Sequence, residues 1–442
     1  MLWRITVLLV ALVGLTACDN ESKPAAPSLP TACGTYDGEG CAPSRARVDL
    51  EPPSFSNPTE ITNPLYPISR LRSALLLGHV DGKPFRTETT LLPGTETVVW
   101  NGEKIEVRVS QYLAYLDGRI AEVALDRFAQ ADDGSVWYFG EDVFDYENGT
   151  VAATEGTWLA GREGPPAMIM PAHPKVGDVY RPENAIGVVF EEVTVKQVGR
   201  TVQGPLDAIA DAIVVDELHA DGGHEQKTFA PGYGEFRTGG DGDLEALALA
   251  VPTDRAREPM RSELSFLETA AVGVVELLRV DDAEAARAVT RRLNTAWATL
   301  QQGRLPRMVA EHLDTRLSAL TKAMQSGKRR AAAQDALDVA QSVLDLQLRY
   351  RTAAVVDRER FHLWTQQLRV LAAEADRGGV AGAVAALEWI RDRVAPTLPA
   401  TGRRELDARL RALRIASDTG NLASAADHAA RLGARVRRLG TG

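Results

Sequence analysis

Ile105-Glu-Val-Arg-Val-Ser110 and Ala121-Glu-Val-Ala-Leu-Asp-Arg-Phe128 alternate apolar with polar residues, and Asp117-Gly118 stands between them. A period of two belongs to a strand that turns one face to a core. Asp-Gly and Asn-Gly are preferred centres of two-residue hairpin turns, because both central residues need positive φ. Such dipeptides recur as Asp81-Gly82, Asn101-Gly102, Asp133-Gly134, Asn148-Gly149 and Asp221-Gly222, the first five of the six at intervals of 15 to 20 residues. As a group they predict an antiparallel meander over 59–254, with about ten to twelve strands in a strongly curved sheet or open barrel.

Beyond Thr253 the period changes. Glycine and aromatics thin out, and apolar residues recur at three and four, as in Val289, Leu293, Trp297 and Leu300, or Val339, Val343, Leu346 and Tyr350. Turn residues delimit seven or eight helices over 255–442. Four helices open after Asp281, Gly327, Gly378 and Gly420, spaced 46, 51 and 42 residues apart. Helical-hairpin repeats and a pair of compact bundles both fit that spacing. The fold class is α+β, with an antiparallel β unit followed by a separate all-α unit.

The 442 residues suit two or three domains. A formal net charge of −10 conceals an asymmetry: 19 basic and 38 acidic side chains over 1–254, against 31 and 22 over 255–442. That switch coincides with the change of period and marks a boundary between folding units. The acidic unit can sit against the basic one, or the two can be solvated independently.

The chain begins with a cationic start, Met1 to Arg4, and an apolar run from Ile5 to Leu15. This is the layout of a secretory signal, too short to span a bilayer as a mature helix. Leu15-Thr-Ala-Cys18 at its end resembles the lipobox of bacterial lipoproteins. The resemblance implies cleavage after Ala17, acylation of Cys18 with palmitate-type chains, and a cell-membrane location facing the extracytoplasmic side. A plain signal peptide with an incidental cysteine is the alternative. Residues 18–58, rich in proline and poor in large apolar groups, read as a disordered tether. Within it Cys33 and Cys41 flank a glycine-rich loop, and a pair in an oxidising space reads as a disulfide.

Val136-Trp-Tyr-Phe-Gly-Glu-Asp142, Thr154-Glu-Gly-Thr-Trp158, Met168-Ile-Met-Pro-Ala172, Gly177-Asp-Val-Tyr180 and Ala230-Pro-Gly-Tyr-Gly234 carry a second resemblance. The stretch is similar to a group of uncharacterised secreted bacterial β-domain proteins. The resemblance implies a fold and a compartment, and no activity.

Candidate chemistry is sparse. Glu217-Leu-His219 with His224-Glu225 places three or four zinc-type donors around the Asp221-Gly222 hairpin, yet a solvated turn of Asp, Gly and His needs no ligand, and no metal or other cofactor is assigned. Glu311, His312 and Asp314, and likewise Asp357, Glu359 and His362, cluster within a helical turn but lack the Glu-x-x-His spacing of paired-helix metal sites. Glu141, Asp142, Asp145 and Glu147 beside Trp137, Tyr138 and Phe139 offer an acid–base pair for glycoside cleavage, against an acidic hairpin beside core aromatics. An exported acidic chain is no nucleic-acid partner. The reading is therefore an exported, lipid-anchored envelope protein with a non-catalytic binding or scaffolding role, engaging a protein partner or apolar ligand. A metal- or apolar-ligand-binding protein, and a hydrolase with its site near Trp137–Glu147, are the alternatives.

Overall fold

The structure is a computed structural model and describes residues 42–240 and 242–439. Ala17, Cys18, Cys33 and Cys41 lie outside the described residues. Among the described residues, fifteen strands form one antiparallel sheet. They are β1 (Ser73–Val80), β2 (Lys83–Leu91), β3 (Glu96–Trp100), β4 (Glu103–Leu116) and β5 (Arg119–Gln130). Next come β6 (Val136–Glu147), β7 (Thr150–Ala153), β8 (Trp158–Leu159), β9 (Ala167–Met170) and β10 (Val179–Ala185). The last are β11 (Val189–Gln203), β12 (Ala208–His219), β13 (His224–Ala230), β14 (Gly234–Gly240) and β15 (Asp243–Val251).

The order runs β10-β11-β12-β13-β14-β15-β1-β2-β4-β5-β6-β7, with β3 on β4 and both β8 and β9 on β6. The sheet curls until β9 lies beside β10, without pairing to it. The strands beyond the expected number include β7, β8 and β9, which at four, two and four residues are too short to show an alternation.

Four of the six turn dipeptides carry positive φ at both residues: Asp81-Gly82, Asn101-Gly102, Asp117-Gly118 and Asn148-Gly149. In the other two only the glycine does, because the aspartate closes a longer turn through its side chain. Asp133 Oδ1 accepts the Ser135 amide at 2.9 Å, and Asp221 Oδ1 accepts the Gly223 amide at 2.8 Å.

The helices are α1 (Ser262–Arg279), α2 (Ala283–Leu300), α3 (Arg307–Gln325), α4 (Arg329–Gln347), α5 (Ala353–Ala373), α6 (Arg377–Val394), α7 (Ala400–Asp418) and α8 (Leu422–Leu439). Helices α2, α4, α6 and α8 start at the four expected openings, and Asp282, Asp376 and Asn421 cap α2, α6 and α8 by accepting backbone amides. In the first four helices α1 touches α2 and α4, and α3 touches the same two; in the last four α5 and α7 each touch α6 and α8. Each set closes on itself, so the helices form two bundles and not an open array of repeats.

Both bundles lie on the convex face of the sheet. Leu75, Leu77 and Leu249 share a core with Leu264, Leu313 and Val343, while Leu113, Ile120 and Val123 share one with Phe361, Val384 and Leu387. Burial of this apolar area, at about 25 cal/mol per Å², holds the two units as one body. The opposite charges also meet there. Glu88 on β2, Asp345 on α4, Asp357 and Arg360 on α5 and Arg393 on α6 are buried, with Arg86 of β2 beside them. Three carboxylates thus face three guanidiniums. The acidic and basic units are not independently solvated.

Residues 42–58, assigned to the tether by composition, lie against the sheet. Arg47 bridges Val179, Ser54 and Ser56 bond the Asp132 carboxylate, and the Phe55 ring meets Phe139 at 5.4 Å. A few well-placed contacts order a segment whose composition alone reads as unfolded.

Candidate functional site

The concave face has a different character. Alternation along β2 and β4 sends Glu88, Gln111 and Leu113 outward to the helices and Thr87, Thr89, Ser110 and Tyr112 inward. Inward-facing residues of β1, β2, β4, β5 and β10 to β15 together line a cavity of about 110 Å³. Its wall carries the carboxyl groups of Asp126, Glu191, Glu217, Glu235 and Glu245, with Lys227 as the cationic side chain among them. Aromatic rings complete it: Tyr66, Tyr112, Phe128, Tyr180 and Phe229.

At one end are Asp126, Glu245 and Tyr112. Burial lifts Asp126 to about 6, although the Tyr138 hydroxyl donates to it at 2.8 Å. Burial and the field of Glu235 raise Glu245 to about 7, and the Thr87 hydroxyl donates to its Oε1. The neighbouring Glu122 is pushed up to about 8 by burial and by Asp145. The Tyr112 hydroxyl is buried without a hydrogen-bond partner.

At the other end the register of β11, β12 and β13 sets Glu191 opposite His219 and Glu217 opposite Glu225. His219 Nδ1 is 3.4 Å from Glu191 Oε1, and its Nε2 is 3.7 Å from both Glu217 Oε1 and Glu225 Oε2. Lys227 Nζ lies 2.6 Å from Glu217 Oε1. Burial opposes ionisation of Glu191, but the His219 ring and Lys227 hold it down at about 2. Burial also works against protonated His219, yet the Glu191 and Glu225 carboxylates beside it lift it to about 10. The Tyr180 hydroxyl, fully buried here, has no partner.

The acidic aromatic stretch 137–147 does not form a site of its own. Trp137, Tyr138 and Phe139 are core, Asp142 pairs with Arg127 at 2.6 Å, and Glu147 is exposed at a turn. Glu141 is buried in a carboxyl–carboxylate contact with Glu183, raised by burial and that neighbour, but neither lines the cavity. Asp314 accepts the Trp297 indole N–H at 2.9 Å, and Asp357 belongs to the interface charges, so neither helical histidine cluster gathers ligands. Burial drives both His312 and His362 down to about 4. Among the described residues, Glu191, Glu217 and His219 are the set whose ligating atoms lie within 4.8 Å of one another.

Sequence reading found Glu217, His219 and Glu225 and took them for a solvated turn tip. It missed Glu191 and Asp126, because polar alternates of a strand are ordinarily solvent-facing. A separate hollow of about 280 Å³ lies between α1, α4 and α5, floored by Val275, Leu278 and Val370 and rimmed by arginines, of which Arg369 is held by Glu276 and Arg329 by Asp281. Among the described residues no helix is long and apolar enough to cross a membrane. No protein-family model matches the chain, and no curated protein matches it.

Proposed function

We propose that this chain is an exported envelope lipoprotein, anchored through Cys18, whose β unit binds a small organic ammonium ion without catalysis. The observation that carries the reading is the unpartnered Tyr112 hydroxyl in a cavity walled by carboxylates and aromatic faces. An unsatisfied buried hydroxyl costs about 1–3 kcal/mol, which a ligand or water offsets. Carboxylates with aromatic faces are the chemistry that holds an ammonium. Acids lifted by burial, such as Asp126 and Glu245, are those a bound cation would return to the ionised form. The size fits a ligand of roughly four or five non-hydrogen atoms, since a cavity of about 150 Å³ admits the six of benzene. The hydrolase reading loses ground because Glu141 and Glu183, the closest match to an acid–base pair, stand off the cavity wall.

Calorimetric titration of the full chain with tert-butylammonium, whose N–H groups can donate to the Tyr112 hydroxyl, against tert-butanol as the neutral isostere, tests this. Saturable binding of the cation, weakened at least about tenfold by Tyr112→Phe or Glu245→Gln, supports the reading. Equal binding of both compounds, or of neither, overturns it.

A further inference from the structure

The far end of the same cavity carries a donor set that the ammonium reading does not use. Strands β11, β12 and β13 run side by side, and directly opposed residues share a face, as do residues two apart on one strand. Glu191, Glu217, His219 and Glu225 therefore converge on the inner face, from three strands and across a turn that holds Asp221-Gly222. The donors are rigidly placed by the sheet, and Glu191 and Glu217 are buried.

Their types and spacing match a borderline-soft divalent ion. Zinc takes imidazole nitrogen and carboxylate oxygen at about 2.0–2.2 Å, which sets tetrahedral ligands about 3.3 Å apart. Ligating atoms of Glu191, Glu217 and His219 within 4.8 Å of one another need to draw in by at most about 1.5 Å, within reach of side-chain rotation. Two further features point to an occupant. Glu225 Oε2 is buried, 3.7 Å from His219 Nε2, and has no hydrogen-bond donor. The Tyr180 hydroxyl is fully buried and unpartnered on the same wall, with Glu217 the strongest charge acting on it. A water on a metal is the group such a hydroxyl would bond. Lys227, at 2.6 Å from Glu217 Oε1, occupies the place of competing cation.

We infer that Glu191, Glu217 and His219 form a zinc-type divalent metal site at this end of the β unit, with Glu225 as the fourth ligand. The site needs none of Tyr112, Asp126 or Glu245, so it goes beyond the ammonium reading and fails or stands separately from it. Metal binding here displaces the proton from His219, because the ligating imidazole must be neutral.

The test is calorimetric titration of the chelator-treated full chain with zinc chloride, repeated with cobalt(II), whose visible spectrum reports its coordination. One zinc per chain is expected, with affinity falling at least about tenfold in His219→Ala and in Glu191→Gln. Lys227→Met is expected to bind zinc more tightly, since the ammonium no longer competes for Glu217. A gain of affinity cannot arise from misfolding, so this variant keeps the test decisive if His219→Ala proves unstable. Tyr112→Phe is expected to leave zinc binding unchanged while weakening tert-butylammonium. Absence of stoichiometric zinc, or zinc affinity that neither the His219 nor the Lys227 replacement alters, overturns the inference.

Discussion

Replacing Glu88 by alanine probes the charges that join the sheet to the helices. Its carboxylate takes Arg393 Nη1 at 2.7 Å, Arg86 Nη2 at 2.7 Å and Arg360 Nη1 at 3.3 Å, with Arg393 and Arg360 buried and Arg86 at the edge of the group. With it gone, three guanidiniums face only Asp345 and Asp357, and one positive charge is buried without compensation. Removing one partner of a buried pair costs about 3–5 kcal/mol. Glu88→Ala combined with Arg393→Met restores balance at two charges of each sign. The double variant should therefore be more stable than the sum of the single effects by about 2 kcal/mol. Urea denaturation followed by far-UV circular dichroism and tryptophan fluorescence gives both quantities, and the two signals should move together, because sheet and helices share two cores. Burial works against an ionised Glu88, but Arg360, Arg86 and Arg393 hold it well below the usual carboxylate range. A depressed folded-state value means a contribution present above the unfolded value of about 4.3 and lost as pH falls below it. Glu88→Ala should accordingly show a shallower acid limb. A loss under about 1 kcal/mol, strict additivity of the pair, or separate unfolding of sheet and helices refutes this account of the interface.

Three further outcomes follow from the same physics. Glu122 is held up at about 8, so its neutral form is favoured in the fold and its contribution is lost as pH rises from the unfolded value through 8. Glu122→Gln should stabilise the chain at pH near 8 by an amount bounded at about 1.4 kcal/mol per tenfold change in proton affinity, with little effect near pH 4, as read by thermal melts. Gly149, at φ +78, packs its α-carbon against the backbone of Gly378 and Gly382 at the start of α6. Gly149→Ala adds about 1–2 kcal/mol of left-handed strain to that steric conflict and should lower the melting temperature, where Gly118→Ala, open to solvent, shows the strain alone. Mass spectrometry of the mature protein from membranes should show an acylated Cys18 and a two-hydrogen loss for a Cys33–Cys41 bridge; an unmodified chain retaining residues 1–17 would remove the anchor from the proposal.

The order of elements was legible in the linear chain because it rests on local rules. Alternation in 105–110 and 121–128 gives strands, four dipeptides such as Asn148-Gly149 adopt the positive φ that tight hairpins demand, and the three-and-four spacing after 253 gives helices that begin where their caps stand. What only the tertiary structure decided depends on which face of each strand meets what. Period two says that Glu88 and Thr87 point oppositely, but not that the helices cover the side of Glu88, or that the side of Thr87 closes on a cavity. Once the sheet curls, Glu191, Glu217 and His219 meet on its inner wall, and Asp126 and Glu245 stand in it as buried acids. Curvature is a property of the whole sheet, summed over strand twists and bulges between residues far apart in sequence, so no local pattern carries it.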